Sequence, residues 1–238
     1  MIRMVAIDID GTLLNSRRQV TDGVRGALRR AQDAGIVICL ASGRLIPTLM
    51  PVAAQAGVTG PVVTCNGAYA EMEDGETVLS AQLSPEVVSE LLNYAEAAGI
   101  TANLYQPRRV LSNRESPYLD MYRSRTGATP LVMSCAELKH EPATKMIFIN
   151  EPAVNERDAQ HFAPSAAGGK FHLTVSEPIY LEFLPPHVNK GVGVQAVAMR
   201  LGLEAHEVAA IGDYLNDLEM VAWSGLGAAM ASGAEALQ

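Results

Sequence analysis

The sequence predicts an α/β protein, in which a doubly wound parallel-sheet core is interrupted by an inserted α+β domain. Short apolar segments alternate with helical patterns near both ends of the chain, as they do in parallel sheets. Between these regions the pattern changes to a hairpin, a helix and paired strands. We therefore place the core in residues 1–82 and 188–238 and the insert in residues 83–187.

The first part of the core has a strand–helix order. Short apolar runs predict the strands. Apolar residues spaced three and four apart predict the first helix, for which Thr21 or Asp22 is a suitable N-cap and Gly35 a suitable C-terminal end. The order is strand 3–9, helix 21–34, strand 36–41, helix 47–56 and strand 61–65. A hairpin follows, because Asp74-Gly75 suits a two-residue turn between residues 68–72 and 76–81.

The insert begins with a clearly delimited helix. Ser84 is a suitable N-cap, Pro85 suits the first helical position and Gly99 suits the C-terminal end. Apolar runs predict strands at 100–105, 109–112, 145–150, 171–175 and 179–184, with an amphipathic stretch at 154–162.

The core pattern returns after residue 188. A helix is predicted over 190–201 and ends at Gly202. A strand at 208–212, a helix at 217–223 and a strand at 225–230 complete the core.

Composition excludes several functional classes. The chain of 238 residues is 48% hydrophobic and carries a formal net charge of −8, which disfavours disorder, nucleic-acid binding and anionic membrane surfaces. Its 3 cysteines lack metal-ligand spacing and predict buried, reduced thiols. No apolar run is long enough for a membrane helix, so we expect a cytoplasmic protein, either a monomer or a weak homo-oligomer.

Carboxylates follow two of the predicted core strands. Asp8 and Asp10 come at the end of the first strand, and Asp213 and Asp217 follow the strand at 208–212. In open parallel sheets, ligands bind beyond the carboxyl ends of the strands. Four acids gathered there would repel one another without a cation, and all-oxygen ligands favour Mg²⁺.

One further strand end and one helix start supply groups that could bind an anion. Ser42-Gly43-Arg44 offers a hydroxyl, and Asn189-Lys190-Gly191 places a lysine at a helix N-terminus. Together with the acids, this set predicts phosphoryl transfer through an aspartyl-phosphate.

The sequence resembles the haloacid-dehalogenase-like phosphohydrolases, and among them the Cof-type sugar phosphatases. The resemblance covers nearly the whole chain and rests on five motifs in the expected order. They are Asp8-x-Asp10-Gly11-Thr12-Leu13, Ser42-Gly43-Arg44, Cys65-Asn66-Gly67-Ala68, Asn189-Lys190-Gly191 and Gly212-Asp213-x-x-Asn216-Asp217-x-x-Met220. It implies a Rossmann-like core whose insert is an α/β cap of the second type.

The resemblance assigns roles to the four acids. Asp8 would be the nucleophile and a Mg²⁺ ligand. Asp10 would be the general acid and base, with its backbone carbonyl on the metal. Asp213 would be the third protein ligand, and Asp217 either a ligand or a residue that orients the site.

The resemblance also implies which residues hold the substrate. Phosphate would be bound by Ser42, Lys190, Asn216, Gly11 and Thr12, and substrate by Asn66, Gly67 and Arg44. Arg44 could equally be a structural salt-bridge residue. Caps carry substrate specificity in this family. Each candidate specificity residue could also be an ordinary surface or core residue; the candidates are Asn66, Arg108, Arg109, Arg114, Lys145 and Tyr180.

The predicted function is Mg²⁺-dependent hydrolysis of small phosphomonoesters such as sugar phosphates, with a small phosphorylated metabolite as partner. A phosphomutase, a phospho-accepting module or a non-catalytic relative are the alternatives. Family members continue for some tens of residues past 225–230, with a further core strand and a closing helix. This chain stops at Gln238, either at a natural end or at a truncation.

Overall fold

The computed structural model describes residues 1–237 and divides into two compact units. The first unit comprises Met1–Ser80 and Val188–Gln238, and the second comprises Ala81–His187. In the described residues the strands are β1 (Met4–Asp8), β2 (Val37–Ala41), β3 (Val62–Thr64), β4 (Tyr69–Glu71), β5 (Thr77–Ser80), β6 (Thr101–Gln106), β7 (Arg109–Ser112), β8 (Leu131–Val132), β9 (Lys145–Ile149), β10 (His172–Glu177), β11 (Tyr180–Leu184), β12 (Val208–Gly212) and β13 (Leu226–Ala229).

The helices are consistent with local capping signals. Thr21, Ser84 and Asn189 accept a hydrogen bond from a backbone N–H in the first turn of the helix that follows each of them. The helices are α1 (Asp22–Asp33), α2 (Ile46–Ala56), α3 (Pro85–Ala98), α4 (Pro117–Thr126), α5 (Cys135–Leu138), α6 (Pro152–Ala167), α7 (Lys190–Arg200) and α8 (Leu218–Trp223).

The first unit is built on a seven-stranded sheet of order β13-β12-β1-β2-β3-β4-β5. The strands from β13 to β3 run parallel to their neighbours, whereas β4 and β5 are antiparallel additions at one edge. Gly75 has a φ of 88° in the turn between β4 and β5, a conformation that favours glycine. The edge hairpin predicted around Asp74-Gly75 is therefore present.

Both faces of this sheet are covered, which explains why its strands are apolar throughout. Ile7, Ile38 and Leu40 pack on one face with α1 and α2, in a cluster that includes Leu28 and Leu49. The alternate strand residues pack on the other face with α7 and α8; they include Ala6, Cys39, Val63, Ala210, Val194 and Met220. The predicted doubly wound α/β class is confirmed.

The second unit contains a six-stranded sheet of order β10-β11-β9-β6-β7-β8, in which the β7–β8 pair is parallel and the others are antiparallel. One face forms an apolar core with α3, α5 and α6, and its centre contains the rings of Phe148, Phe162, Phe171 and Phe183. The opposite face carries polar residues, among them Asn103, Lys145 and Glu182, which are buried.

Two helices of the second unit are absent from the sequence-based prediction. In α4 only Leu119 and Tyr122 are buried, so its sequence lacks an apolar stripe. The one-turn helix α5 depends on a capping box between Ser134 and Glu137. No helix among residues 1–237 has both the length and the apolar character needed to cross a membrane.

Candidate active site

The predicted site residues follow adjacent parallel strands of the first unit. Asp8 ends β1 and is in register with Ala41, the last residue of β2, while Ile7 is in register with Ile211 of β12. Because the three strands are parallel, the segments after Asp8, Ala41 and Gly212 leave the sheet at the same edge. The topology therefore gathers three of the sequence motifs.

Lys190 lies between the carboxylates of Asp8 and Asp217. It is the first residue of α7, and its Nζ donates hydrogen bonds of 2.6 Å to Asp8 Oδ1 and 2.6 Å to Asp217 Oδ1. The three side chains are 1%, 5% and 0% exposed, respectively. A buried cation between two buried anions offsets part of the cost of removing all three from water.

The charge environment perturbs both partners of this contact. Burial raises the pKa of Asp8 to about 7, Lys190 counteracts this rise, and Asp217 and Asp213 add to it. Burial would lower the pKa of Lys190, but the two carboxylates outweigh it and raise that pKa above the ordinary value. The lysine therefore stays charged, while Asp8 is poised to exchange a proton near neutrality.

Asp213 completes a cluster of three acids. Asp8, Asp213 and Asp217 each offer a carboxylate oxygen, and these oxygens lie within 4.8 Å of one another. The Thr12 hydroxyl donates to Asp213 Oδ1 at 2.9 Å. A Cβ on Gly11 would lie 2.2 Å from Asp213 Oδ2, so this close approach requires glycine.

Both carboxylate oxygens of Asp217 accept hydrogen bonds. Oδ1 accepts from Lys190, whereas Oδ2 accepts the backbone N–H groups of Asp213 and Tyr214 at 3.0 and 3.2 Å. A Cβ on Gly212 would lie 2.4 Å from the Asp217 Cβ. These hydrogen bonds fix the loop that carries Asp213.

The Asp10 carboxylate is paired with an arginine. Arg44 donates from Nε and Nη2 to the two Asp10 oxygens at 2.7 and 2.6 Å, and its Nη1 donates to the Thr48 carbonyl. Burial would raise the pKa of Asp10, but the hydrogen bond and charge of Arg44, with help from Arg18, hold it below the usual range. Arg44 thus forms a salt bridge, one of the two roles expected for it, and its role in substrate binding stays a prediction.

The remaining motif residues pack around these groups. The Ser42 hydroxyl accepts the Arg44 N–H at 3.2 Å, and Asn66 Oδ1 accepts from Asn216 Nδ2 at 3.1 Å. A Cβ on Gly67 would lie 1.9 Å from the Asn189 carbonyl oxygen, so the Asn66-Gly67 loop packs directly against the start of α7.

The chain is similar to known proteins over almost its whole length. The model of the haloacid dehalogenase-like hydrolases matches residues 5–238. The chain belongs to the haloacid dehalogenase-like hydrolase family. The family resemblance drawn from the motifs is thereby confirmed, and so is the prediction of a hydrolytic enzyme of this type.

Individual relatives extend over almost the whole chain. "Putative phosphatase YxeH" of Bacillus subtilis (strain 168) is 32% identical over 98% of this chain and 88% of its own length. "HMP-PP phosphatase" of Cronobacter sakazakii is 27% identical over 97% and 84%. A haloacid dehalogenase-like hydrolase from Bacteroides thetaiotaomicron has a similar structure, with a TM-score of 0.89, 25% identity and coverage of 100% and 91%.

The hydrolase's other candidate residues lie in the second unit, in contact with their own neighbours. Arg109 pairs with Glu141 at 2.9 Å, Arg114 donates to the Gly99 carbonyl at 2.9 Å, and Arg108 is exposed in the β6–β7 turn. Lys145 and Tyr180 lie on the polar face of the six-stranded sheet, and both are buried.

Two residues of that polar face were missed by the sequence reasoning. Asn103 and Glu182 alternate along β6 and β11 with apolar residues such as Leu104 and Phe183, which pack in the core. This period of two was the available signal, since a polar residue between core positions must face the other side of the sheet.

Proposed function

We propose that this hydrolase is a Mg²⁺-dependent phosphatase of small phosphomonoesters that works through an aspartyl-phosphate on Asp8. The observation that carries the proposal is the buried cluster in which Lys190 bridges Asp8 and Asp217, with Asp213 close by. A carboxylate nucleophile, a fixed cation and further acids are the groups that this chemistry requires.

The acid cluster fits a hard divalent cation. Its potential ligands are carboxylate oxygens of Asp8 and Asp213, with Asp217 as ligand or orienting group and Asp10 contributing its backbone carbonyl. When bound, Mg²⁺ supplies positive charge that stabilises the Asp8 carboxylate and the phosphoryl oxygens. Burial, with a smaller contribution from the charges of Asp217 and Asp213, raises the pKa of Asp8 despite Lys190, so a further cation would favour the ionised carboxylate.

The residues of this chain then divide the reaction into two steps. In the first, an Asp8 oxygen bonds to phosphorus while the bond between phosphorus and the ester oxygen breaks, and Asp10 gives its proton to the leaving alcohol. In the second, water attacks phosphorus and gives a proton to Asp10 while the bond between phosphorus and the Asp8 oxygen breaks, which releases phosphate and restores the Asp8 carboxylate. Lys190, Ser42 and Asn216 would hold the phosphoryl group.

Arg44 has a defined part in this scheme. By binding both oxygens of Asp10 and the Thr48 carbonyl, it fixes the direction of the Asp10 carboxyl group. Its charge favours the ionised form of Asp10, which is the form that accepts a proton from water.

Other parts of the proposal concern substrate and setting. Relatives named as phosphatases, one of them for HMP-PP, support a small phosphorylated metabolite as substrate. Within the proposal, the second unit is the cap, and the enzyme is a cytoplasmic monomer or weak homo-oligomer. The cytoplasmic setting is consistent with the buried, reduced thiols of Cys39, Cys65 and Cys135.

The test is Asp8→Asn in the full-length chain, assayed by phosphate release from phenyl phosphate with added Mg²⁺. We expect turnover to be abolished while circular dichroism is unchanged, because the amide is not a nucleophile. Asp33→Asn is the matched control on an exposed surface and should retain full activity. The proposal is contradicted if Asp8→Asn keeps full activity. It is also contradicted if the unmodified enzyme forms a stable acyl-phosphate without turnover, or an isomerised product without phosphate release.

A further inference from the structure

The segment between β3 and β4 has an uncommon backbone. Cys65, Asn66 and Gly67 have φ values of 52°, 55° and 93°, so three consecutive residues are left-handed. We call Cys65–Gly67 the left-handed turn. Glycine and asparagine tolerate this conformation, whereas for cysteine it is unfavourable. Such a backbone persists only where surrounding contacts hold it, and it is frequent at functional sites.

The left-handed turn holds the segment that follows β2. The N–H groups of Cys65 and Asn66 donate hydrogen bonds of 3.1 Å each to the carbonyls of Arg44 and Ser42, respectively. A Cβ on Gly43 would lie 2.9 Å from Asn66 Oδ1 and 3.3 Å from its Nδ2. The absence of a side chain at Gly43 therefore allows the Asn66 amide to pack against this segment.

The Asn66 side chain also contacts the segment that follows β12. Its Oδ1 accepts a hydrogen bond of 3.1 Å from Asn216 Nδ2, and Asn66 is 1% exposed. Asn216 directly precedes Asp217, whose carboxylate accepts a hydrogen bond from Lys190. A change in the position of Asn216 would therefore be passed to the carboxylate that holds the lysine.

The left-handed turn packs against the start of α7 as well. A Cβ on Gly67 would lie 1.9 Å from the Asn189 carbonyl oxygen and 2.9 Å from the Lys190 nitrogen. A Cβ on Gly193, in the first turn of α7, would lie 3.1 Å from the Gly67 Cα and 2.4 Å from Val63 Cγ1. Two glycines therefore allow close packing, which fixes the helix start that carries Lys190.

We propose that Asn66 is a positioning residue for the reaction. It links the segments that carry Ser42 and Asn216, and through the left-handed turn both are held against the helix that carries Lys190. This inference rests on the proposed function, in which these three side chains hold the phosphoryl group. It differs from the expectation that Asn66 binds substrate, because a positioning residue acts through other side chains.

The contacts of the Asn66 amide favour this role. Its oxygen accepts from Asn216 and the whole amide packs against Gly43, so two segments far apart in the sequence meet on one buried group. Groups that hold a reacting phosphoryl must be placed to within a fraction of an ångström, and a misplacement of about 1 Å can slow a reaction about 100-fold. Loss of the amide should therefore impair turnover of every substrate alike.

The first experiment removes the amide and keeps the backbone conformation. Asn66→Gly is suitable because glycine adopts a positive φ without strain. With Mg²⁺ and either phenyl phosphate or 1-naphthyl phosphate, kcat should fall by about 10- to 100-fold, to the same extent for both within about twofold, with KM changed by less than about threefold. An unchanged kcat, a rise in KM alone, or losses that differ between the two esters would overturn the inference.

The control is Asn93→Gly, which makes the same change at an exposed position of α3 and should retain the kcat of the unmodified enzyme. Circular dichroism of both variants should be unchanged.

The second experiment tests whether Asn66 acts through Asn216. Because the two side chains share one hydrogen bond, removing either should remove most of the effect of the other. The double variant Asn66→Gly with Asn216→Ala should have a kcat no more than about threefold below that of the slower single variant. Losses that multiply would show that Asn66 acts independently of Asn216, and the inference would be wrong.

The third experiment does not depend on turnover. Urea titrations of the unmodified chain, both single variants and the double variant, all metal-free, should give a midpoint shift for the double variant that is smaller than the sum of the single shifts. Additive shifts would contradict the contact between Asn66 and Asn216. Full turnover by Asp8→Asn would contradict the proposed function alone, because these midpoints are measured without substrate.

Discussion

Protons and divalent cations should compete for Asp8. Asp8 is buried with Lys190, Asp213 and Asp217, and its pKa is raised from 3.8 to about 7 in the metal-free protein. Lowering the pH from 8 to 5 in the presence of Mg²⁺ should therefore weaken Mg²⁺ binding. Below pH 7 the metal must displace a proton from Asp8, whereas above pH 7 it binds a carboxylate that is already ionised.

The magnitude follows from the size of the pKa shift. A rise of the Asp8 pKa from 3.8 to about 7 means that ionising Asp8 costs about 4 kcal/mol more in the folded protein than in the unfolded chain. The folded state thus binds this proton more tightly than the unfolded chain does. The contribution of Asp8 to the stability of the metal-free protein should accordingly increase as the pH falls from above 7 to about 4. Over the same range, Mg²⁺ affinity should fall by about tenfold per pH unit below pH 7.

Calorimetric titration of the full chain with Mg²⁺, in two buffers of different ionisation enthalpy, measures both affinity and proton release. We expect about one proton released per Mg²⁺ at pH 6 and almost none at pH 8. Asp8→Asn, which cannot titrate at this position, serves as the control and should show no such release. A Mg²⁺ affinity that is constant from pH 5 to 7, with no proton released, would show that Mg²⁺ and protons do not compete for Asp8.

Three further changes have defined outcomes. Lys190→Met leaves two buried carboxylates without their cation, and should lower the free energy of unfolding of the metal-free protein by about 3–5 kcal/mol in urea titrations; a loss below about 1 kcal/mol would contradict the pairing. Gly67→Ala puts a Cβ 1.9 Å from a backbone carbonyl oxygen, whereas the Cβ of Gly57→Ala meets nothing within 4 Å. Urea titrations should therefore show a clearly larger decrease in the free energy of unfolding for Gly67→Ala than for Gly57→Ala. Asp10→Asn should slow hydrolysis of alkyl phosphates by about 100-fold or more and of aryl phosphates with good leaving groups much less; equal slowing would argue against its role as the acid.

The sequence was sufficient to predict much of the catalytic unit, because its signals are local. Asp8 and Asp213 directly follow short apolar runs, and those runs are the parallel strands β1 and β12. Since parallel neighbours end at the same sheet edge, strand position alone indicates which polar residues can meet. The start of α7 was equally clear, because Asn189 caps the helix whose first residue is Lys190.

The contacts that involve exact side-chain direction were less predictable. Both a substrate contact and a salt bridge fitted Arg44, and only the structure shows that its guanidinium binds Asp10. Asn103 was overlooked because a single polar residue in an apolar strand is conspicuous only once the core face is known. Helix α4 was missed because it buries just two side chains.

The position of β1 in its sheet has a consequence for the newly made chain. Met4 of β1 pairs with Val37 on one side and with Val208 on the other, so one edge of this interior strand has no partner until about two hundred more residues have been made. On a ribosome adding roughly 5–20 residues per second, that edge stays open for some tens of seconds. An open apolar strand edge invites pairing with other chains, so synthesis is the period when this protein most needs protection from aggregation.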